Sequence, residues 1–180
     1  MNEPVIVLDH LSKSFGNVHA VHDLSLQIES GSIFGFLGPN GAGKTTTMRM
    51  LCGLTHPTGG RAIIESADAW KDRQLVRTKF GYVPQRFSLY RDLTVMENFR
   101  FFGGAYGVPG DELQRRTERL LRVIDLEEKR NTAAQSLSGG MRQLLAIGCA
   151  LVHNPSLLFF DEPTAGLDPV HRQQIWNLLY

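Results

Sequence analysis

The sequence predicts an α/β fold: a parallel-sheet core, an antiparallel β subdomain at the N-terminus and an α-helical subdomain later in the chain. Three observations carry that prediction. Residues 5–37 are short runs of alternating apolar and polar residues broken by turn pairs. An apolar run at Ile33–Leu37 leads through a glycine-rich loop into a helical pattern. Two amphipathic stretches then precede a second apolar run, Leu157–Phe160, which delivers Asp161 and Glu162.

Taken in order, Val5-Ile6-Val7-Leu8 and Leu24-Ser25-Leu26-Gln27-Ile28 read as strands, with Gly16-Asn17 and Ser30-Gly31 as turns. Ile33–Leu37 fits a buried parallel strand, and Lys44–Leu54 reads as the helix that follows. From Asp92 to Ile124 the pattern is helical, with Leu113, Leu120, Leu121 and Ile124 on one stripe and Arg115, Arg116, Glu118, Arg119 and Arg122 on a solvated face. A second amphipathic helix is predicted over Gly139–His153, ended by Asn154-Pro155. The final strand, Leu157–Phe160, places two carboxylates at the carboxyl edge of the sheet, where open α/β sheets bind ligands.

Length and composition bound the rest. A chain of 180 residues suits one core. With 19 Lys plus Arg against 18 Asp plus Glu, the net charge of +1 makes no field that would gather nucleic acid, so no nucleic-acid partner is expected. Cys52 and Cys149 lie far apart and in no metal-ligand spacing, which argues against a disulfide framework or a zinc site. No signal peptide is expected in a start containing Glu3, Pro4 and Asp9, and no run approaches the roughly 20 apolar residues of a membrane span. A membrane role would therefore come through a partner.

The chemistry begins at Gly38-Pro39-Asn40-Gly41-Ala42-Gly43-Lys44-Thr45. A triphosphate needs donors packed closely around it. Glycines let successive backbone N–H groups turn inward, and the helix that follows adds its positive dipole end. Lys44 can reach the β- and γ-phosphates as a compact charge, and the Thr45 hydroxyl is a hard oxygen ligand for Mg2+. ATP and Mg2+ are the cofactors this loop predicts, on the fold of the P-loop nucleotide hydrolases, with Thr46 beside Thr45 in the same site. The loop alone leaves kinases, GTPases, helicases and transport ATPases open. Asp161 resembles the magnesium-holding Walker B aspartate, and Glu162 can polarise an attacking water as general base. A plain carboxylate turn before Pro163 is the bland alternative.

Leu137-Ser138-Gly139-Gly140-Met141, 20 residues before the Leu157 strand, resembles the signature sequence of ABC-transporter ATPases. In that family the signature of one subunit closes over the γ-phosphate held by the other, so the resemblance implies a head-to-tail dimer with Ser138, Gly139 and Gly140 acting in trans. Ser138 is then a hydroxyl donor and both glycines exposed backbone donors, although Ser138 could equally be a helix cap. Gln85, in Gly81-Tyr82-Val83-Pro84-Gln85, resembles the Q-loop glutamine that approaches magnesium and the attacking water. Phe15, 23 residues before Gly38, resembles the aromatic that stacks on adenine, with a buried strand phenylalanine as the alternative. Ala165-Gly166-Leu167-Asp168 resembles the D-loop.

The resemblance thus implies catalytic roles for Glu162, Lys44 and Gln85. It implies ATP contacts from Phe15 and residues 38–46, and metal ligation by Thr45, Gln85 and Asp161. It spans 1–180 as one ABC ATP-binding domain with a helical subdomain at about 86–150. Met141 stands where the signature most often has Gln. The family's switch histidine belongs farther beyond Glu162 than Tyr180, and His171 sits too early, so a cassette incomplete at its C-terminus is expected. The 52 residues from Gln85 to Leu137 match the compact helical subdomain of transporter cassettes. The stretch Arg86–Asn98 is similar to ATPases of multidrug or polysaccharide exporters, and Phe99, Phe101, Phe102 and Tyr106 would add apolar bulk to a groove for a membrane subunit. Membrane-spanning permease subunits, a second ATPase subunit and a peripheral place on the cytoplasmic face of the membrane are what this implies. A soluble ABC ATPase acting on ribosomes, or a nucleotide-binding fragment without full turnover, is the alternative.

Overall fold

The computed structural model describes residues 4–85 and 89–162, with Pro169, Arg172, Gln173 and Ile175. The chain divides into two compact units, Met1–Lys79 and Phe80–Tyr180.

In the first unit, β1 (Pro4–Phe15) and β2 (Val18–Glu29) form an antiparallel hairpin that closes at Phe15 opposite Val18. The two-residue turn needs a left-handed backbone, which Gly16 supplies at φ +57°. β3 (Gly59–Ile64) pairs antiparallel with the other edge of β1, and β4 (Ala67–Asp68) extends the sheet to the order β2-β1-β3-β4. Ile6 and Leu8 face inward by strand alternation, but the next core residue is Leu11. A bulge between Leu8 and Leu11, with His10 at φ +51°, inserts the residue that resets the phase. α1 (Lys44–Leu51) turns Met48, Met50 and Leu51 into this core, and α2 (Arg73–Lys79) adds Val76.

Ile33–Leu37 departs from expectation. No strand forms there among the described residues, and Ile33, Phe34 and Leu37 are exposed, Leu37 at 96%. An apolar run signals that a segment gains by burial, whereas strand structure also needs a ladder partner. Within the segment Phe34 stands edge-on to Phe36 at 5.2 Å.

In the second unit, β5 (Phe80–Val83) and β6 (Leu157–Phe160) pair in parallel, Phe80 with Leu157 through Val83 with Phe160. The helical subdomain beside them comprises α3 (Val95–Ala105), α4 (Gly110–Val123) and α5 (Gly139–Leu151). The single helical pattern predicted over Asp92–Ile124 is thus two helices. Gly107 at φ +69° ends the first, and Pro109 starts the second, since proline is tolerated at a helix start but not inside one. α3 begins with a capping box in which Thr94 and Glu97 satisfy each other's backbone amides. Phe99, Leu121, Ile124, Leu126, Leu145 and Ile147 form the centre of a shared core. Leu113 and Leu120 of the predicted α4 stripe pack at its margin. Arg115 and Arg116 instead pair with Glu112 on the surface. Gly148 lets α5 approach α3, for a Cβ there would stand 2.7 Å from Phe99 Cζ.

Candidate functional site

The glycine loop of the first unit is open. Gly38 to Ala42 are exposed, and Gly41 and Gly43 both take φ +83°, the left-handed region that a side chain disfavours. Gly43 also touches structure: a Cβ on it would lie 2.3 Å from the Ala20 carbonyl oxygen of β2. The helix therefore starts against the hairpin, and it starts without a side-chain cap. A helix start of this kind points backbone amides and a positive dipole end toward an anion. Lys44 folds back over the loop, its Nζ donating to the carbonyls of Gly38 at 2.7 Å and Pro39 at 2.9 Å. That holds the ammonium against the start of the loop backbone. Thr45 is exposed beside it and Thr46 half-buried.

Phe15 does not take the buried position that was the alternative for it. It is 54% exposed at the end of β1, with the Lys13 ammonium 4.9 Å from its ring centre. Its strand partner Val18 lies two residues before Ala20, where Gly43 packs. At about 3.3 Å per strand residue, the aromatic and the loop belong to one neighbourhood of this unit.

In the second unit, register brings the predicted catalytic groups together. Val83 pairs with Phe160, so two residues further Gln85 stands level with Glu162. The Gln85 amide nitrogen donates to the Glu162 carboxylate at 2.8 Å. The Asp161 amide continues the ladder to the Val83 carbonyl at 3.0 Å, which leaves Asp161 nearly buried and Glu162 exposed with φ +53°. A non-glycine residue in that region is strained, as is common where a turn aims a functional side chain.

Ser138 caps α5, its hydroxyl accepting from the Met141 amide at 3.2 Å. Gly139 is exposed, with open space where a Cβ would be. The expectation of two exposed glycine amides needs correcting, because Gly140 is buried. It shares a helix face with Leu144 and so turns into the core. Arg142, which sequence reasoning did not single out, donates to the Leu137 carbonyl at 2.6 Å and fixes the approach to Ser138. Asn98 was also missed. Fully buried, it donates to the carbonyls of Tyr90, Leu93 and Thr94 and accepts from the Tyr90 amide, holding the segment before α3. A polar residue one turn past a Thr-x-x-Glu cap was the available signal for it. Of the predicted aromatic groove, Phe99 is core, Phe102 is half-buried, and Tyr106 stacks on His153. Phe101 and Tyr90 remain exposed, with ring centres 4.5 Å apart.

Neither cysteine is in a disulfide and both are buried, and burial pushes the Cys149 thiol well above its ordinary range, which disfavours the thiolate. No group of three or more His, Cys, Asp or Glu stands together among the described residues. None of the described helices is long and apolar enough to cross a membrane. The D-loop residues Ala165–Asp168 and His171 lie outside the described residues.

Residues 21–165 match the ABC transporter family. The chain is 42% identical over 174 residues to the probable multidrug ABC transporter ATP-binding protein YbhF of Escherichia coli (strain K12), covering 97% of the chain and 30% of that protein. It is 43% identical over 175 residues to Nod factor export ATP-binding protein I of Cupriavidus pinatubonensis, with 97% and 54% covered. The chain thus spans about a third and about half the length of these relatives. Among solved structures, the dimeric bacterial ABC transporter cassette MJ0796 superposes with a TM-score of 0.86 at 32% identity, covering 97% of this chain and 81% of that one.

Proposed function

The chain belongs to the ABC transporter family, and from that premise we propose that it is the ATP-binding and ATP-hydrolysing part of an exporter, driving permease subunits through closure of a head-to-tail dimer. The observation that carries the hydrolytic reading is the meeting of Gln85 and Glu162 at matched strand ends beside Asp161. A phosphate loop suffices for binding. A carboxylate held by an amide at the carboxyl edge of a parallel pair is what attack by water additionally requires.

The roles follow from what each group can do. Gly38 to Thr46 wrap the phosphates with backbone donors, and Lys44 exchanges its carbonyl contacts for the β- and γ-phosphates. Phe15 offers its exposed ring to adenine. Glu162 takes the proton of the attacking water, and Gln85 holds that carboxylate and the water in line. Ser138 and Gly139 of a second copy close on the γ-phosphate from the other side. Thr45, Asp161 and the Gln85 amide oxygen are hard oxygen donors of the kind Mg2+ selects, and they would supply the few protein ligands it accepts beside phosphate. That ion, when bound, neutralises charge between the β- and γ-phosphates.

Export is supported by the names of the relatives, both ATP-binding proteins of export or multidrug systems. The exposed Tyr90 and Phe101 offer an aromatic surface suited to a permease helix, which supports the reading of a protein held peripherally at the cytoplasmic face of the membrane through that partner. The test uses the full-length protein with its permease. Glu162→Gln is expected to retain ATP binding and lower turnover by at least about 100-fold, accumulating the closed dimer, while Lys44→Ala loses binding itself. Undiminished hydrolysis by Glu162→Gln would remove the general-base assignment, and recovery of the protein wholly apart from membranes would remove the transporter reading.

A further inference from the structure

His153 lies just beyond α5, half-buried, and serves none of the roles above. Its Nε2 stands 3.1 Å from the Phe80 carbonyl at the start of β5. A carbonyl only accepts, so Nε2 carries the proton and Nδ1 of the neutral ring is a bare lone pair. That Nδ1 is buried without a partner. The ring stacks flat on Tyr106 at the end of α3, 3.7 Å between centres and 5° between planes. From α4, Arg116 places its Nη1 on the neighbouring Val152 carbonyl at 3.2 Å, while its Nε is held by Glu112. One residue along β5, Gly81 lets the end of α5 rest on the strand, since a Cβ there would stand 2.4 Å from the Ala150 carbonyl oxygen.

Two independent contacts, at Phe80 and at Gly81, therefore fasten the last turn of α5 to the first residues of β5. The opposite ends of the same two elements carry Ser138 and Gln85. We infer that His153 is a positioning residue, the pivot pin that fixes the helix bearing Ser138 against the strand bearing Gln85. The inference rests on the hydrolytic reading above and adds to it a residue that touches neither nucleotide nor metal. A lever pinned at its far end holds its near end in register, and sub-ångström misplacement of catalytic groups is costly.

The Nε2–H bond to Phe80 is open to either form of the ring, but the surroundings of Nδ1 favour the neutral one. A proton on Nδ1 would find no acceptor and would sit beside the Arg116 guanidinium. Glu112, the carboxylate that holds Arg116, is already shared between Arg115 and Arg116. Burial, with a smaller contribution from Arg116, holds the His153 pKa below its ordinary 6.5, while the hydrogen bond with Phe80 opposes the shift. A depressed histidine pKa favours the neutral fold. The stabilisation is complete above pH 6.5, where the unfolded residue is also neutral, and declines as pH falls below 6.5 until the folded pKa is passed.

The test compares full-length wild type, His153→Leu and His153→Gln, the last of which keeps a donor for the Phe80 carbonyl but cannot titrate. Expected is a fall in kcat of about fivefold or more for His153→Leu with KM for ATP within about twofold, and recovery of most of kcat in His153→Gln. Wild-type turnover is further expected to drop on acidification below pH 6.5, a drop that His153→Gln lacks. Equal kcat in all three, or an unchanged acid limb in His153→Gln, overturns the inference. Should wild type show no ATPase activity at all, the hydrolytic reading fails separately. Amide exchange then decides: faster exchange at Gly81–Val83 and Gly139–Arg142 at acid pH, corrected for intrinsic rates, is expected in wild type and not in His153→Gln. Equal acid response in both sinks the pivot. This wild-type comparison with His153→Gln stands even if His153→Leu does not fold.

Discussion

The loop around Lys44 and the turn around Ser138 present similar chemistry, backbone amides at a helix start, but they are held differently. α1 begins at a left-handed glycine with no side-chain cap, on a loop exposed from Gly38 to Ala42 and closed by its own lysine. α5 begins at a serine that already occupies the Met141 amide, and the helix behind it lies on a closely packed core. The first arrangement makes no side-chain cap and depends on backbone freedom. The second spends a donor on its own rigidity and depends on side-chain packing beneath it. Substitutions near Lys44 should therefore alter binding more than stability, and substitutions beneath α5 should do the reverse.

The sharpest trial is a pair of phenylalanines. Phe99 is fully buried between the helices, while Phe15 is 54% exposed at the hairpin end. Phe99→Ala is expected to cost about 3–5 kcal/mol in urea unfolding. Phe15→Ala should change stability by no more than about 0.5 kcal/mol and weaken nucleotide binding, read by titration with a fluorescent ATP analogue. Similar losses of stability at the two sites would erase the contrast.

Glycines sharpen it further. Gly148→Ala drives a Cβ to 2.7 Å from Phe99 Cζ and 3.0 Å from Ile124 Cδ1, an overpacking expected to cost about 1–3 kcal/mol. Gly41→Ala meets nothing within 4 Å, so only its φ of +83° resists, at about 1–2 kcal/mol. Gly43 is where the contrast should fail. It combines the same φ with a carbonyl 2.3 Å away, and backbone cannot swing aside as a side chain can. Gly43→Ala is expected to lose more stability than Gly41→Ala in the same thermal melt.

Much of this was legible because the residues concerned obey local rules. The glycine loop, the Ser138 cap and the strand ending on Asp161 are each specified by neighbours in sequence. What could not be read depends on partners elsewhere. Ile33–Leu37 has the composition of a buried strand but not the ladder. The outward or inward facing of Gly140 depends on which side of α5 meets the core. The level standing of Gln85 and Glu162 is a matter of parallel register across 77 residues of chain, invisible until β5 and β6 are paired. Gly107 and Pro109, by contrast, were local signals for the break between α3 and α4, and helical periodicity on both sides masked them.

Caps offer a middle-sized comparison. Ser138→Ala and Thr94→Ala each remove one side-chain acceptor, and each is expected to cost about 1 kcal/mol. Thr94 differs in having a reciprocal partner. Its backbone amide, then its hydroxyl, hold the exposed Glu97 carboxylate and depress its pKa. That contribution is present above the ordinary carboxylate pKa and is lost as pH falls through the lowered one. Thr94→Ala keeps the backbone amide and loses the hydroxyl's share, so its acid unfolding should draw closer to that of wild type as pH falls, whereas Ser138→Ala should remain parallel to wild type.

The smallest expected effect separates the units by sign. His10, at the bulge of β1, is exposed and hydrogen-bonded to Asp23 at 2.6 Å. That bond first, then the charges of Asp23 and Asp9, raise its pKa above 6.5, opposite to the shift at His153. A raised pKa means the folded chain holds the proton more tightly than the unfolded one. Its contribution is complete below pH 6.5 and disappears as pH rises through the folded value, whereas that of His153 disappears as pH falls below 6.5. The His10 pair is fully solvated, and salt screens such pairs, so its shift should shrink with added salt while the burial-driven shift of His153 persists. Proton NMR titration of both imidazoles at low and high salt reads this directly, with Asp23→Asn returning His10 toward 6.5. Equal salt response of the two rings would mean that burial is not what sets His153 apart, and with it would go the claim that the second unit is governed by its core.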